Sequence, residues 1–434
     1  MAATIATFQA MLLQDIEPKI QDQIDWVDVL LDDSLNQEGI NKTGVKVDQK
    51  NNSFEITSLN SGMTAYAAAE GAALISSDLG LEKMTVPAKF TRASYRLGHE
   101  SLQATIKDRA SLEEGTALYG MEIRRAMLRS KGRVIRGNGT GIVGVLPAGV
   151  VTGTTVTLSA KAPGTIVSQN RYGLGALQVF QPGQNIEMGT EAAFLAGTQV
   201  TATIATVPSD TTITLTASKT FGASSGANNR GGDNSATWYI RFSGTYGVTP
   251  MGLLGLVDNG TLEPGITTIQ GLTRATTPYM QSVCYDKANA TTIIKDFRDL
   301  YSAVRRYNQN VKYFVVSEDV YAKYTDAVTV TVQANQKSMD YKSKLGNGHT
   351  GLEFAYGGKP VPIFLDTMLP SGFALLLDSD QLLELTLFKD AYIEDGIMTR
   401  VPGYALYETA RAAYYNFGTY SSRKLGGKIM YQTV

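Results

Sequence analysis

The most informative part of the chain is residues 95–147, which read YRLGHESLQATIKDRASLEEGTALYGMEIRRAMLRSKGRVIRGNGTGIVGVLP. Ser111 and Glu114 have the spacing of a capping box, in which the hydroxyl and the carboxylate each accept a backbone amide at a helix start. The helix that begins there is predicted to run to Arg136, with one apolar face made of Leu112, Tyr119, Ile123, Ala126, Met127 and Val134. Glycine adopts left-handed backbone angles freely, so the helix is predicted to stop at the turn of Gly137, Gly139 and Gly141.

The order of these elements resembles that of the major capsid proteins of tailed double-stranded DNA bacteriophages, whose fold is shared with herpesvirus capsid floors and encapsulins. In that family an extended loop, the E-loop, returns as a strand, and a long spine helix follows. The helix ends in a turn of the form G-[DN]-G-T-G before an apolar strand. The matching segments here are residues 83–97, 111–136, 137–141 and 144–146. The turn alone is a weak motif, whereas the ordered set is much more specific.

The resemblance extends into the C-terminal half and leaves out residues 151–248. The sequence YGGKPVP at residues 356–362 and the apolar segment 373–377 are similar to the family's axial-domain sheet. The resemblance implies an α+β fold with peripheral and axial domains. Its predicted parts are an N-terminal arm (1–45), the E-loop (46–98), the spine helix and the start of the peripheral domain (99–150), an inserted β-barrel or sandwich (151–248), the peripheral return (249–288), the axial domain (289–400) and closing strands (401–434).

The predicted arm combines an apolar stripe with acidic residues. Its stripe, at helical spacing, is Ile20, Ile24, Val27 and Leu31, and the other face carries Asp22, Asp25, Asp28 and Asp32. Eight acidic residues and one basic residue occur between Met1 and Glu38. We expect such a segment to lay its stripe on a neighbouring subunit.

Residues 151–248 differ in composition from the rest of the chain. Only nine of them are charged, and β-branched residues dominate segments 200–207 and 211–215. The flanking segments, ending at Leu146 and resuming at residues 251–256, are apolar and contain glycine, and both are predicted to be strands. An inserted, outward-facing β domain that folds on its own is therefore predicted.

Composition excludes several classes of function. The 39 basic and 40 acidic side chains give a formal net charge of −1, so any contact with DNA must be local. One cysteine, Cys284, and two histidines make a zinc site unexpected. No membrane helix and no signal peptide are predicted, so we expect synthesis in the host cytoplasm. No cofactor, metal or catalytic residue is expected.

Two short motifs could indicate an enzyme. Residues 222–226, GASSG, match the G-x-S-x-G of a nucleophile elbow around Ser224, but their flanks indicate a flexible loop. Residues 139–144 match G-x-G-x-x-G, but they follow a helix, whereas a dinucleotide site follows a strand. We interpret the first motif as a loop and the second as the helix stop.

A basic run near the helix end has two interpretations. It comprises Arg124, Arg125, Arg129, Lys131, Arg133 and Arg136, with no acidic residue after Glu122 in the helix. These cations could stabilise a helix C-terminus and form ion pairs. Alternatively, some could face packaged DNA. Their wide angular spread makes one role for all six improbable.

The resemblance implies a structural protein of the virion capsid, with copies of itself as the main partner. Hexamers and pentamers would close into an icosahedral shell around double-stranded DNA. Scaffold, portal and decoration proteins are further expected partners. An encapsulin-like cargo compartment is the alternative within the fold, and a β-rich surface adhesin is the alternative from another class.

Overall fold

The computed structural model describes residues 2–3, 46–48, 53–59, 81–98, 123–146, 151–158, 176–209, 211–221, 238–260, 266–331, 352–356, 359–392, 399–400 and 406–431. The arm stripe (Ile20, Ile24, Val27 and Leu31), the first half of the predicted spine helix and the motif around Ser224 lie outside these residues.

The described chain contains both helices and strands, as predicted for an α+β protein. The strands are β1 Ala2–Ala3, β2 Lys46–Asp48, β3 Ser53–Leu59, β4 Leu81–Pro87, β5 Lys89–Gly98, β6 Ile142–Val145, β7 Val151–Thr157, β8 Asn185–Gly189, β9 Val200–Ser209, β10 Thr212–Phe221, β11 Tyr239–Phe242, β12 Thr268–Ile269, β13 Leu272–Thr273, β14 Val283–Lys287, β15 Tyr313–Val316, β16 Leu352–Tyr356, β17 Lys359–Leu365, β18 Phe373–Leu377, β19 Leu382–Tyr392, β20 Thr399–Arg400, β21 Leu406–Thr419 and β22 Gly426–Tyr431. The helices are α1 (residues 123–135), α2 Ala176–Val179, α3 Glu191–Ala196, α4 Leu253–Leu256, α5 Ile293–Arg305, α6 Glu318–Thr331 and α7 Ser422–Leu425.

The predicted E-loop forms an antiparallel hairpin that continues into a central sheet. Strand β3 pairs with β4 from Ser53 opposite Pro87 to Leu59 opposite Leu81, and β2 adds a third strand. In β4, buried Met84 and Val86 alternate with exposed neighbours, so one face of the hairpin base packs on the core. The chain then passes directly into β5, which lies in the order β1-β5-β21-β19 with β20 on β21.

The axial region is a mixed six-stranded sheet in the order β14-β22-β18-β15-β17-β16. Helix α5 follows the predicted periodicity, and its buried face, with Phe297 and Leu300 at 0% exposure, contributes to the same core as β15 and β18. The sheet does not follow the predicted boundaries of 289–400. Strands β14 and β22 join it from outside that range, while β19 pairs with β21 in the central sheet.

The predicted insertion is one antiparallel six-stranded sheet in the order β6-β11-β8-β9-β10-β7. Within the described residues it is a single sheet with the short helices α2 and α3, not a barrel or sandwich. It also includes β6, which the sequence analysis placed before the insertion. The reason is pairing and burial: Val145 lies opposite Tyr239 in β11, and Val143 is buried in the core of this sheet.

The return to the main body at residues 251–256 differs from the prediction. Leu253–Leu256 is a short helix, α4, whereas the apolar run was predicted to be a strand. All four of its residues are buried, and short apolar runs do not distinguish a buried strand from a buried helix turn. This helix packs beside the end of α1, where the candidate site lies.

Candidate functional site

Helix α1 ends at the predicted glycine turn. The Gly137 amide donates to the Val134 carbonyl at 3.0 Å, and Gly139 and Gly141 adopt φ angles of 81° and 74°. Gly137 itself does not enter the left-handed region, so only two of the three predicted glycines use that freedom. The turn is closed by Asn138, whose Oδ1 accepts from the Thr140 amide at 3.1 Å. Because β6 follows the turn, the motif at 139–144 connects a helix to a strand, and the dinucleotide-site interpretation fails.

Another glycine allows α4 to approach the helix end closely. The Leu254 amide donates to the Gly137 carbonyl at 3.1 Å. A Cβ on Gly252 would overlap the carbonyl oxygens of Val134 and Gly137, so only glycine fits between the two backbones. The helix stop is therefore also the place where the chain rejoins the main body after the inserted sheet.

The last residue of the basic run forms a buried ion pair. Arg136 Nε lies 2.6 Å from Asp366 Oδ2, and both side chains are 2% exposed. Arg136 Nη1 also donates to the Gly132 carbonyl at 2.8 Å, and Asp366 Oδ1 accepts from the Met368 amide at 3.0 Å. The DNA-facing interpretation is therefore wrong for Arg136, because the side chain is enclosed by protein.

The other five cations of the run have different surroundings. Lys131 Nζ pairs with Glu384 Oε1 at 2.7 Å, as the ion-pair interpretation predicts. The Arg133 guanidinium lies 4.5 Å from the ring centre of Phe242. Burial lowers the pKa of Arg133 to about 10, and the nearby Tyr415 opposes that shift. The remaining three are exposed or half-buried: Arg124, Arg125 and Arg129.

Arg241 attaches the inserted sheet to the glycine turn. Its Nε donates to the Thr140 carbonyl at 3.0 Å, and its guanidinium lies 4.1 Å from the ring centre of Phe194 and 4.7 Å from that of Tyr246. The side chain is fully buried. Sequence reasoning missed this residue, although it is one of the few charged residues within a β-rich segment, which was the available signal.

A second buried charge cluster, also missed from the sequence, fixes α4 to the C-terminal strand. Lys428 Nζ lies 2.8 Å from Asp258 Oδ1 with both side chains fully buried, and it donates to the Leu254 carbonyl at 2.9 Å. Arg274 donates to the carbonyls of Asp258 and Gly255. Nearby Cys284 is a free thiol, and burial raises its pKa to about 12. A thiol with a raised pKa carries little of the reactive thiolate at neutral pH.

A groove of about 550 Å³ lies beside the glycine turn, between β5, α1 and the inserted sheet. Its lining includes three cations, Arg92, Arg129 and Arg133. Among the lining residues that the structure describes there is no carboxylate. Two of its apolar lining residues are well exposed, Phe90 at 47% and Val248 at 50%. The groove is thus both basic and apolar.

Two absences hold for the described part of the chain. No group of three or more His, Cys, Asp or Glu side chains there is arranged to hold a metal ion. No helix of that part is long and apolar enough to cross a membrane.

Comparison with known proteins gives similarity only at the level of structure. No family model matches the chain, and no curated protein matches it. The chain is similar to a subunit of the cyanophage A-1(L) capsid, with a TM-score of 0.49, 10% identity and coverage of 88% of this chain and 89% of that one. It is also similar to the capsid of a native GTA particle (TM-score 0.45, 10% identity, 100% of both chains) and to the capsid of Myoviridae phage XM1 (0.43, 9%, 97% and 98%).

Proposed function

We propose that this chain is the major capsid protein of a tailed double-stranded DNA bacteriophage, which self-assembles into the hexamers and pentamers of an icosahedral shell. The observation that carries the proposal is the order in which its elements connect. A hairpin, β3–β4, passes directly into the central sheet as β5, and α1 then ends in the G-N-G-T-G turn. This order of elements resembles the E-loop, returning strand, spine helix and turn of the capsid family.

The hairpin supports a role in binding between subunits. With β2 it forms a small sheet of three short strands, one face of which packs on the core. Within β4, Met84 and Val86 are buried by this chain, while Lys83, Thr85 and Pro87 are exposed. A neighbouring subunit lying against the exposed face would stabilise the hairpin, as assembly into a shell requires. The proposed work of the protein is therefore association with copies of itself, without catalysis.

Packaged DNA is the second proposed partner, through local contacts inside the virion. A net charge of −1 does not support condensation of DNA by the whole subunit. Exposed Arg124 is a better candidate for a phosphate contact than Arg136, which is enclosed by protein. Scaffold, portal and decoration proteins are expected from the resemblance alone, and we propose the inserted sheet as an outward-facing domain that such a decoration protein could meet.

The N-terminal arm offers the direct test of assembly. Ile24→Asp with Val27→Asp places two charges in the apolar stripe, whereas Thr4→Asp with Thr7→Asp places the same charges outside it. We expect the unsubstituted protein and the Thr4/Thr7 variant to sediment as large closed particles. The stripe variant should remain as small species with an unchanged circular dichroism spectrum. Normal shells from the stripe variant would show that the arm is not an assembly element.

A further inference from the structure

A basic surface on elements other than α1 lies where the end of α5 meets α7. Its three cations are Arg306, which is the C-cap residue of α5, and Arg423 and Lys424, which lie in the last turn of α7. The side chain of Asn308 joins the two segments, because its Nδ2 donates to the Lys424 carbonyl at 2.7 Å across 116 positions of the chain. Folding therefore brings cations from two distant segments onto one surface, which we call the α5–α7 surface.

The guanidinium of Arg423 is fixed in place while its outer nitrogens stay open. Its carbon Cζ lies 4.6 Å from the ring centre of Tyr307, and Nε donates to the Gln281 carbonyl at 3.4 Å. Neither Nη1 nor Nη2 has a hydrogen-bond acceptor within the part of the chain that the structure describes. A guanidinium held in this way can donate two parallel hydrogen bonds to an oxyanion, and it loses little freedom in doing so.

Neighbouring carboxylates do not neutralise the α5–α7 surface. Asp378 is 2% exposed and accepts from Asn308 Nδ2 at 2.6 Å, so its charge is enclosed beneath the surface. Asp380 pairs with Lys312 at 2.9 Å. None of the three cations of the surface forms an ion pair with a described residue. The surface therefore has a local excess of positive charge on a chain whose formal net charge is −1.

We propose that the α5–α7 surface binds the phosphate backbone of packaged double-stranded DNA, and that it faces the interior of the shell. This inference rests on the proposed function, and it assigns the DNA contact to residues outside the basic run of α1. Protein interfaces usually have an apolar centre. Tyr307 is the one well-exposed large apolar side chain among the described residues of this surface, and its ring already stacks with Arg423. Cations that donate hydrogen bonds over little apolar area fit phosphate better than a protein partner.

Salt-dependent DNA binding by unassembled subunits tests the proposal. Arg423→Gln with Lys424→Gln removes two cations of the surface, whereas Lys295→Gln with Lys323→Gln removes the same charge from exposed positions on α5 and α6. Binding of a short DNA duplex of mixed sequence is followed by fluorescence anisotropy. The affinity of the first variant should fall about tenfold, and the slope of log affinity against log salt should become shallower by about two, one for each lost phosphate contact. The control variant should bind like the unsubstituted protein.

Three results would overturn the inference. Equal affinity and slope for the two double variants would show that the surface adds nothing beyond net charge. Polyglutamate that binds as tightly as the duplex, with the same loss in the Arg423/Lys424 variant, would assign the surface to an acidic protein segment. Failure of that variant to form shells in the absence of DNA, with folded subunits, would assign the surface to a contact between subunits. Failure of the unsubstituted protein to form shells would instead remove the proposed function, while the measured phosphate binding would remain.

A single substitution and assembled particles give independent readouts. The side chain of Arg306 is exposed and forms no ion pair or hydrogen bond with a described residue, so Arg306→Gln should leave the urea unfolding curve unchanged. It should make the salt slope shallower by about one. Shells of the Arg423/Lys424 variant should form in normal yield and retain less DNA than shells of the Lys295/Lys323 variant. Arg306→Gln subunits that bind DNA like the unsubstituted protein would contradict the proposal, even if the double substitution disturbs local packing.

Discussion

The Arg136–Asp366 ion pair predicts that one cation of the basic run has a purely structural role. The two side chains meet at 2.6 Å and are each 2% exposed, at the point where α1 ends. Arg136→Gln leaves the Asp366 carboxylate buried without its charged partner. Removing one member of a buried pair costs about 3–5 kcal/mol. The Met368 amide still donates to Asp366, so we expect the free energy of unfolding to fall by about 3 kcal/mol, the lower end of that range.

Urea unfolding of unassembled subunits, followed by circular dichroism, measures this loss. Arg124→Gln is the matched control, because Arg124 is exposed on the same helix and its substitution should change stability by less than about 0.5 kcal/mol. The double variant Arg136→Met with Asp366→Leu removes both charges and should recover most of the stability. The reasoning is refuted if Arg136→Gln is as stable as Arg124→Gln, or if its shells assemble normally and lose only DNA.

Three other predictions follow from the contacts around the glycine turn. A fragment of residues 142–249 should unfold cooperatively in calorimetry. A fragment of residues 151–248 should melt at a lower temperature, because it lacks β6. Equal melting temperatures for the two fragments would contradict the pairing of β6 with β11. Gly252→Ala should lower the free energy of unfolding by about 3 kcal/mol or more, since the backbones of α4 and the end of α1 must move apart. Gly153→Ala, in an open strand position, should leave it nearly unchanged in the same urea unfolding assay. The raised pKa of Cys284 should keep its alkylation at pH 8 far slower than in the urea-unfolded chain. Equal rates in the two states would contradict that pKa.

Local patterns in the sequence predicted many individual elements. The β-branched runs at 200–207 and 211–215 became β9 and β10, and the apolar spacing at 293–304 became α5. The capsid-like order also predicted the hairpin, the helix end and the turn. These features depend on propensity and periodicity over neighbouring residues, which a single sequence contains.

Sheet membership could not be predicted in the same way. Strand β6 joins the inserted sheet, β14 and β22 join the axial sheet, and β19 leaves it, because pairing brings together residues that are far apart in the chain. The helix α4 was predicted to be a strand for a related reason. Four apolar residues have no measurable period, and their conformation follows from docking on the end of α1.

The candidate site was also only partly predictable from the sequence. The sequence located the basic run and the glycine turn but could not assign a different role to each cation of the run, because the partner of Arg136 lies 230 residues away. The partner of Lys131 lies 253 residues away. Arg241 and the Lys428–Asp258 pair went unnoticed, since isolated charges in apolar segments reveal their partners only once the chain is folded.

Electron microscopy of the purified full-length protein tests the central claim most directly. Under conditions that promote association, the protein should form closed shells of uniform diameter, and averaged images should resolve six-fold and five-fold clusters of subunits. The hairpin β3–β4 should then contact an adjacent subunit. Fully folded monomers as the only species, at every protein concentration and ionic strength tried, would contradict the proposal that this chain is a capsid subunit.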